Sequence, residues 1–172
     1  MTKKASKGKR DISIWKFIIT YLILMGLFMT LVGLESIKKI MDINGLYTSM
    51  IIYFTELFLK PFGIIQGVSG SVINVKGMSM DVRFGCNGLE AFLIYMVGVL
   101  SFPATVRKKT VGVIGGFLVL QVLNILRIGL LGLSGVYLAE YFKFIHIYVA
   151  QGMMIAIALI IFLVWLNYAV KE

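Results

Sequence analysis

VIGGFLVLQVLNILRIGLLGL, residues 113–133, is apolar or glycine at all but three positions: Gln121, Asn124 and Arg127. Crossing the hydrocarbon core of a bilayer takes about 20 consecutive apolar residues as a helix. The run is long enough, so it reads as the centre of a transmembrane helix over 110–134. An arginine at the middle of such a helix costs about 2.5–3.5 kcal/mol on insertion scales, and less near the rim. The three polar residues recur three apart and share a broad helix face. That face must look into a bundle, away from lipid.

The rest of the chain supports a bundle. It has 172 residues, of which 59% are hydrophobic, and a mean hydropathy of +0.94. Soluble domains are only about half apolar. Further spans are predicted at 12–34, 88–105 and 145–169. A fifth stretch, 46–65, carries Glu56 and Lys60 and then Pro61, so it suits an interfacial or re-entrant helix on the outer face. The run at 12–34 is too long for a signal-peptide core and lacks a small-residue cleavage pattern, which makes it an uncleaved signal anchor. Between Gly67 and Phe84 the period changes to short alternating runs around Lys76-Gly77, the pattern of a small β-hairpin.

The expected fold is therefore an all-α integral membrane protein. It has about four transmembrane helices, the outer-face helix and the hairpin, in one domain over 1–172. Its parts are a basic cytoplasmic tail at 1–11, the anchor at 12–34, an external segment at 35–87 and a catalytic helical core at 88–172.

Charge orients these parts. Net charge is +9. Lys3, Lys4, Lys7, Lys9, Arg10 and Lys16 cluster at the N-terminus, and Arg107, Lys108 and Lys109 form the next strong cluster. Both clusters belong on the cytoplasmic side, the first held against anionic membrane lipid. No basic helix or basic-aromatic strand pattern points to nucleic acid. The run at 110–134 then leaves the cytoplasm, so Arg127 lies near its outer end. Cys86, before the run at 88–105, and His146, at the start of the last run, fall at the same outer rim.

Cys86 is the lone cysteine and has no partner for an intramolecular disulfide. Asn87 as N-cap and Glu90 at the third helical position would form a capping box, with Asn for the usual Ser or Thr. Such a helix start favours a thiolate. His146 is the only histidine and suits the general base and acid of Cys–His acyl transfer. Arg127 stays charged and offers fixed donors to an acyl oxygen. Gly85 and Gly88 would let a substrate backbone approach. No set of Cys, His and carboxylates has metal-ligand spacing, and no cofactor is implied.

Gly85-Cys86-Asn87-Gly88-Leu89-Glu90, then Asn124-Ile125-Leu126-Arg127-Ile128, then His146 before a last helix resemble the exosortase/archaeosortase family, most closely its compact exosortase H branch. The resemblance covers roughly residues 65–168. It implies a multi-pass cell-membrane cysteine transpeptidase or protease. Its partners would be exported, membrane-anchored proteins that end in a recognition motif, a transmembrane helix and a basic tail. The resemblance places the catalytic set on Cys86, Arg127 and His146, with Gly85, Asn87, Gly88, Glu90 and Asn124 around them. Asn87 stands where many members carry Ser. The rival reading is a small non-enzymatic membrane protein, such as a transporter subunit or assembly scaffold. There Gln121, Asn124 and Arg127 would join helices, and Gly112, Gly115 and Gly116 would allow close packing.

Overall fold

The computed structural model describes residues 14–34, 43–82 and 86–171. The basic tail, residues 35–42 and Gly85 lie outside the described residues. The first helix, α1 (Ile14–Gly33), turns almost all its side chains outward. It packs against the helix at Leu89–Ser101, and its Phe17 ring meets Phe102 edge-on at 6.2 Å and stacks on Phe162 at 6.5 Å. An outward apolar surface is stable only in lipid, because in water it would be a large exposed patch.

A π-helical turn, Ile43–Tyr47, runs into α2 (Thr48–Leu59), which a 3-10 turn at Lys60–Phe62 ends. Pro61 in that turn lacks an N–H and cannot extend the helix ladder. With 12 residues, α2 is about 18 Å long at 1.5 Å per residue. Its buried side, including Ile51, Ile52, Thr55 and Leu59, faces the protein. A three-stranded antiparallel sheet follows, in the order β1 (Ile65–Ser69), β2 (Val72–Val75), β3 (Met78–Asp81). The expected hairpin around Lys76-Gly77 is β2–β3, and β1 adds one strand to it.

Next come α3 (Leu89–Ser101), α4 (Val106–Tyr137) and α5 (Gln151–Val170). Ahead of α5 the chain is helical but irregular: a 3-10 turn at Ala139–Tyr141, one α turn at Phe142–Phe144, then a π-helical stretch at Ile145–Ala150. Among the described residues, α1, α4 and the run Ala139–Val170 are long and apolar enough to cross a membrane. The fourth apolar helix, α3, has only 13 residues. The protein is thus an all-α membrane protein carrying a small sheet.

Two apolar clusters divide the interior. One joins α2, the sheet and the later part of α4, through residues such as Ile51, Ile73, Val75, Ile128 and Leu131. The other joins α3, the early part of α4 and α5, through Tyr95, Val99, Leu120, Met154 and Trp165. Along α4 the order is Leu120, then buried Gln121, Asn124 and Arg127, then Ile128 and Leu131. The three polar residues therefore form a band between two oily layers. That band faces inward, as the cost of an arginine in lipid requires.

At the far end of the bundle the start of α4 is tied to α5. Trp165 Nε1 donates to the Lys108 carbonyl at 3.0 Å, and Lys108 Nζ donates to the Ala169 carbonyl at 3.1 Å. Gly112 faces Trp165 and Gly116 faces Tyr95 with no space for a side chain, whereas Gly115 meets nothing within 4 Å. Two of the three glycines in that stretch thus serve close packing. Arg107 and Arg127 are 20 residues apart on one helix, about 30 Å, which is the thickness of a bilayer core. The basic loop and the polar band sit at opposite ends of that span.

Candidate active site

Cys86 leads into α3, but the helix start differs from a capping box. Gly88 is the N-cap, in the left-handed region at φ 80°, and no side chain caps it. Asn87 uses its side chain locally instead: Oδ1 accepts the Leu89 N–H at 3.2 Å. Glu90 lies in the first turn of α3. Gly88 is demanded twice over. Its φ strains any L side chain, and a Cβ there would lie 2.7 Å from Asn124 Cγ. The role foreseen for Gly88 was substrate approach, but the close neighbour here is Asn124, from inside the protein.

The segment after Gly85 is held from both sides. Arg127 Nη2 donates to the Cys86 carbonyl at 2.6 Å. The Tyr47 hydroxyl donates to the Asn87 carbonyl at 3.1 Å. Burial pushes the Tyr47 phenol up to about 12, so it stays protonated and remains a donor through the physiological range. It lies near Gln121 as well, but its hydrogen bond goes to Asn87. Asn87 is fully buried, and its Nδ2 reaches Thr48 Oγ1 at 3.5 Å. Tyr47 and Thr48 were not singled out in the sequence, since nothing local links them to a cysteine some 40 residues on.

His146 enters from the irregular stretch before α5. Its Nε2 is 3.8 Å from Cys86 Sγ. Phe142, four residues earlier, stacks on the imidazole with ring centroids 5.8 Å apart and planes at 10°. His146 Nδ1 is buried and has no hydrogen-bond partner among the described residues, so stacking holds the ring. The i, i+4 spacing of Phe142 and His146 was a readable signal for that contact. The π-helical stretch at Ile145–Ala150 shifts the side chains that follow it, and such stretches recur at functional sites.

Cys86, Arg127 and His146 thus meet in one place. They share a cavity of about 150 Å³ with Met78, Ser79, Met80, Asp81, Val82, Ile128, Leu131 and Phe142. With its proton on Nδ1, the imidazole presents Nε2 as an acceptor to the thiol. Arg127 spends one of its five donors on the Cys86 carbonyl, and its Nε has no partner among the described residues. The Asn124 and Gln121 amides are buried and likewise make no hydrogen bond among the described residues.

Comparison with known proteins matches this chain to the family model of transmembrane exosortases over residues 8–165. No curated protein and no solved structure matches it. The family match reaches back through α1 and α2, well beyond the stretch at 65–168 that carries the sequence resemblance, and it takes in every element from the first helix to most of the last. On that extent, the chain belongs to the transmembrane exosortase family.

Proposed function

We propose that this protein is a membrane-embedded cysteine transpeptidase or protease. It cleaves C-terminal sorting signals of exported proteins just outside the bilayer, through a thioester acyl-enzyme. The observation that carries the reading is the contact of Cys86 Sγ with His146 Nε2 at 3.8 Å, next to an arginine that holds the same cysteine's carbonyl.

His146 Nε2 takes the proton of the Cys86 thiol. The thiolate forms a C–S bond to the scissile carbonyl carbon, and the carbonyl electrons move to oxygen. Free N–H groups of Arg127 stabilise that oxyanion. The C–N bond then breaks, and the leaving amine takes the proton from His146. An amine, a lipid nucleophile or water attacks the thioester carbon and gives its proton to His146, the C–S bond breaks to release the acyl group, and His146 returns the proton to the Cys86 sulfur. The Cys86 thiol is restored. Nothing in the cycle calls for a cofactor. Substrates are membrane-anchored proteins with a motif, a transmembrane helix and a basic tail. The enzyme sits in the cell membrane with its N-terminus in the cytoplasm and the thiol on the outer face.

Among the described residues, Gln121 and Asn124 make no hydrogen bonds to neighbouring helices, which favours the enzyme over a scaffold held together by those amides. The experiment has two readouts on intact cells carrying the full chain. A membrane-impermeant maleimide should label Cys86 from outside, and reporter fusions near Lys76 and Lys143 should read external while one at Arg107 reads cytoplasmic. Acid-quenched membranes with a substrate present should carry a hydroxylamine-sensitive adduct on Cys86. Labelling only after permeabilisation, or no adduct with a cleaved substrate, would reject the reading.

A further inference from the structure

We propose that the outer edge of β3 receives the substrate's main chain as an added strand, so that an extended peptide lies along Met78–Asp81 and delivers its scissile carbonyl to Cys86. The inference rests on the proposed function and deepens it by naming how the substrate is held.

The sheet order is β1-β2-β3, so β3 has a second edge that β2 does not use. Which groups face that edge follows from the register. Met80 lies opposite Ile73, Ser79 opposite Asn74 and Met78 opposite Val75. The Val82 N–H donates to the Ser71 carbonyl at 2.8 Å. Hydrogen-bonded pairs alternate in an antiparallel ladder, so Met80 and Met78 bond to β2 and Ser79 does not. Side chains of the non-bonded pairs stand closer, and the Ser79 hydroxyl does reach Asn74 Oδ1 at 2.6 Å. The Ser79 N–H and C=O therefore point away from β2, and no described residue hydrogen-bonds them.

That edge opens on the active-site cavity. Met78, Ser79, Met80 and Asp81 all line it. A strand seen from one face offers only alternate residues. Four in succession mean that the cavity runs along the strand's edge. The face of β3 is already used, because Met78 packs at Gly135 and Met80 at Gly132 of α4. Cys86, Arg127 and His146 line the same space.

The chemistry of the ligand matches. A peptide bond within a helix has its carbonyl hydrogen-bonded and screened, so cleavage needs an extended segment. Near hydrocarbon, unwinding leaves main-chain groups unsatisfied at several kcal/mol each. An edge strand replaces those bonds, which is the logic of strand addition. One substrate residue would exchange both bonds with Ser79. Its neighbours would meet Ile128, Leu131 and Phe142, which calls for apolar side chains beside the scissile bond.

The test uses full-length chain in membranes with a reporter: an exported domain ending in a motif, a transmembrane helix and a basic tail, and cleaved in a Cys86-dependent way. Ser79→Pro removes the outward N–H without touching a β2–β3 ladder bond. It should lower processing about tenfold or more at matched abundance, the effect of losing one to two hydrogen bonds, while Cys86 is alkylated at the wild-type rate. Val68→Pro, on the opposite edge of the sheet, should process normally. Processing by Ser79→Pro within twofold of wild type would overturn the proposal.

If Ser79→Pro also slows alkylation, cross-linking decides. Ser79→Cys in a Cys86→Ala chain is paired with single cysteines walked along the reporter's external segment. Disulfides at every second position support an added strand, and an even or absent pattern rejects it. The absence of any Cys86-dependent cleavage would remove the proposed function, whereas the cross-linking pattern reads the strand by itself.

Discussion

Cys86→Ala should abolish processing of a reporter that the wild-type chain cleaves, with the variant present in the membrane at normal abundance. The sulfur, 3.8 Å from His146 Nε2, supplies the electron pair of the new bond. Removing the nucleophile of an acyl-transfer enzyme costs about a millionfold in turnover. Its packing contribution is small by comparison, because Cys86 is only partly buried and alanine fits its space. Abundance and cleavage are thus separable on one immunoblot. Cleavage above about one part in a hundred of wild type would take Cys86 out of the reaction, since a residual rate that high exceeds what binding and oxyanion donors give alone.

Arg127→Lys should insert and fold, yet lose most processing. The guanidinium is a planar fork: one nitrogen fixes the Cys86 carbonyl at 2.6 Å, and Nε has no partner among the described residues. A lysine ammonium keeps the charge but is a point, and it cannot hold two places at once. Losing one oxyanion donor costs about 2.7–4 kcal/mol, or 100- to 1000-fold in rate. A purely structural arginine predicts the opposite, because lysine would reach the same carbonyl and processing would stay near normal. Rate at matched abundance separates the two. Among the described residues Arg127 hydrogen-bonds Cys86 itself and neither Asn124 nor Glu90, so a loss of rate reports on the cysteine's surroundings more than on bundle assembly.

The helices were the most legible part of the chain, for a physical reason. Lipid demands apolar length and internal hydrogen bonding, and α4 at Val106–Tyr137 contains the whole run expected at 110–134. The gathering of Cys86, Arg127 and His146 was foreshadowed by depth alone: charge bias and run lengths place them at one level. Depth does not fix contact, and the 3.8 Å approach also depends on the irregular turns before α5. The start of α3 departs from the capping box that its sequence suggests. Asn and Gly both make good N-caps, and the choice of Gly88 turns on Asn124 pressing against it from another helix. That is tertiary information. Tyr47 is hidden for the same reason, and β1 because IQGVS shows little alternation.

The shortness of α3 has a consequence for substrate choice. Its 13 residues cover about 20 Å, against about 30 Å of hydrocarbon. The chain makes up the difference outside the helix, because Arg127, about 30 Å along α4 from Arg107, holds the carbonyl of Cys86 ahead of α3. Under the proposed function the enzyme is then a ruler. It measures the interval between a substrate's basic tail, pinned at the cytoplasmic face, and the bond to be cut, and it accepts an interval of about one bilayer core. A four-residue insertion in the reporter's helix, one turn or about 6 Å, should lift the recognition motif past Cys86 and suppress cleavage, and deleting the same turn elsewhere in that helix should restore it. Unchanged cleavage across such a series would mean that the motif alone selects the substrate.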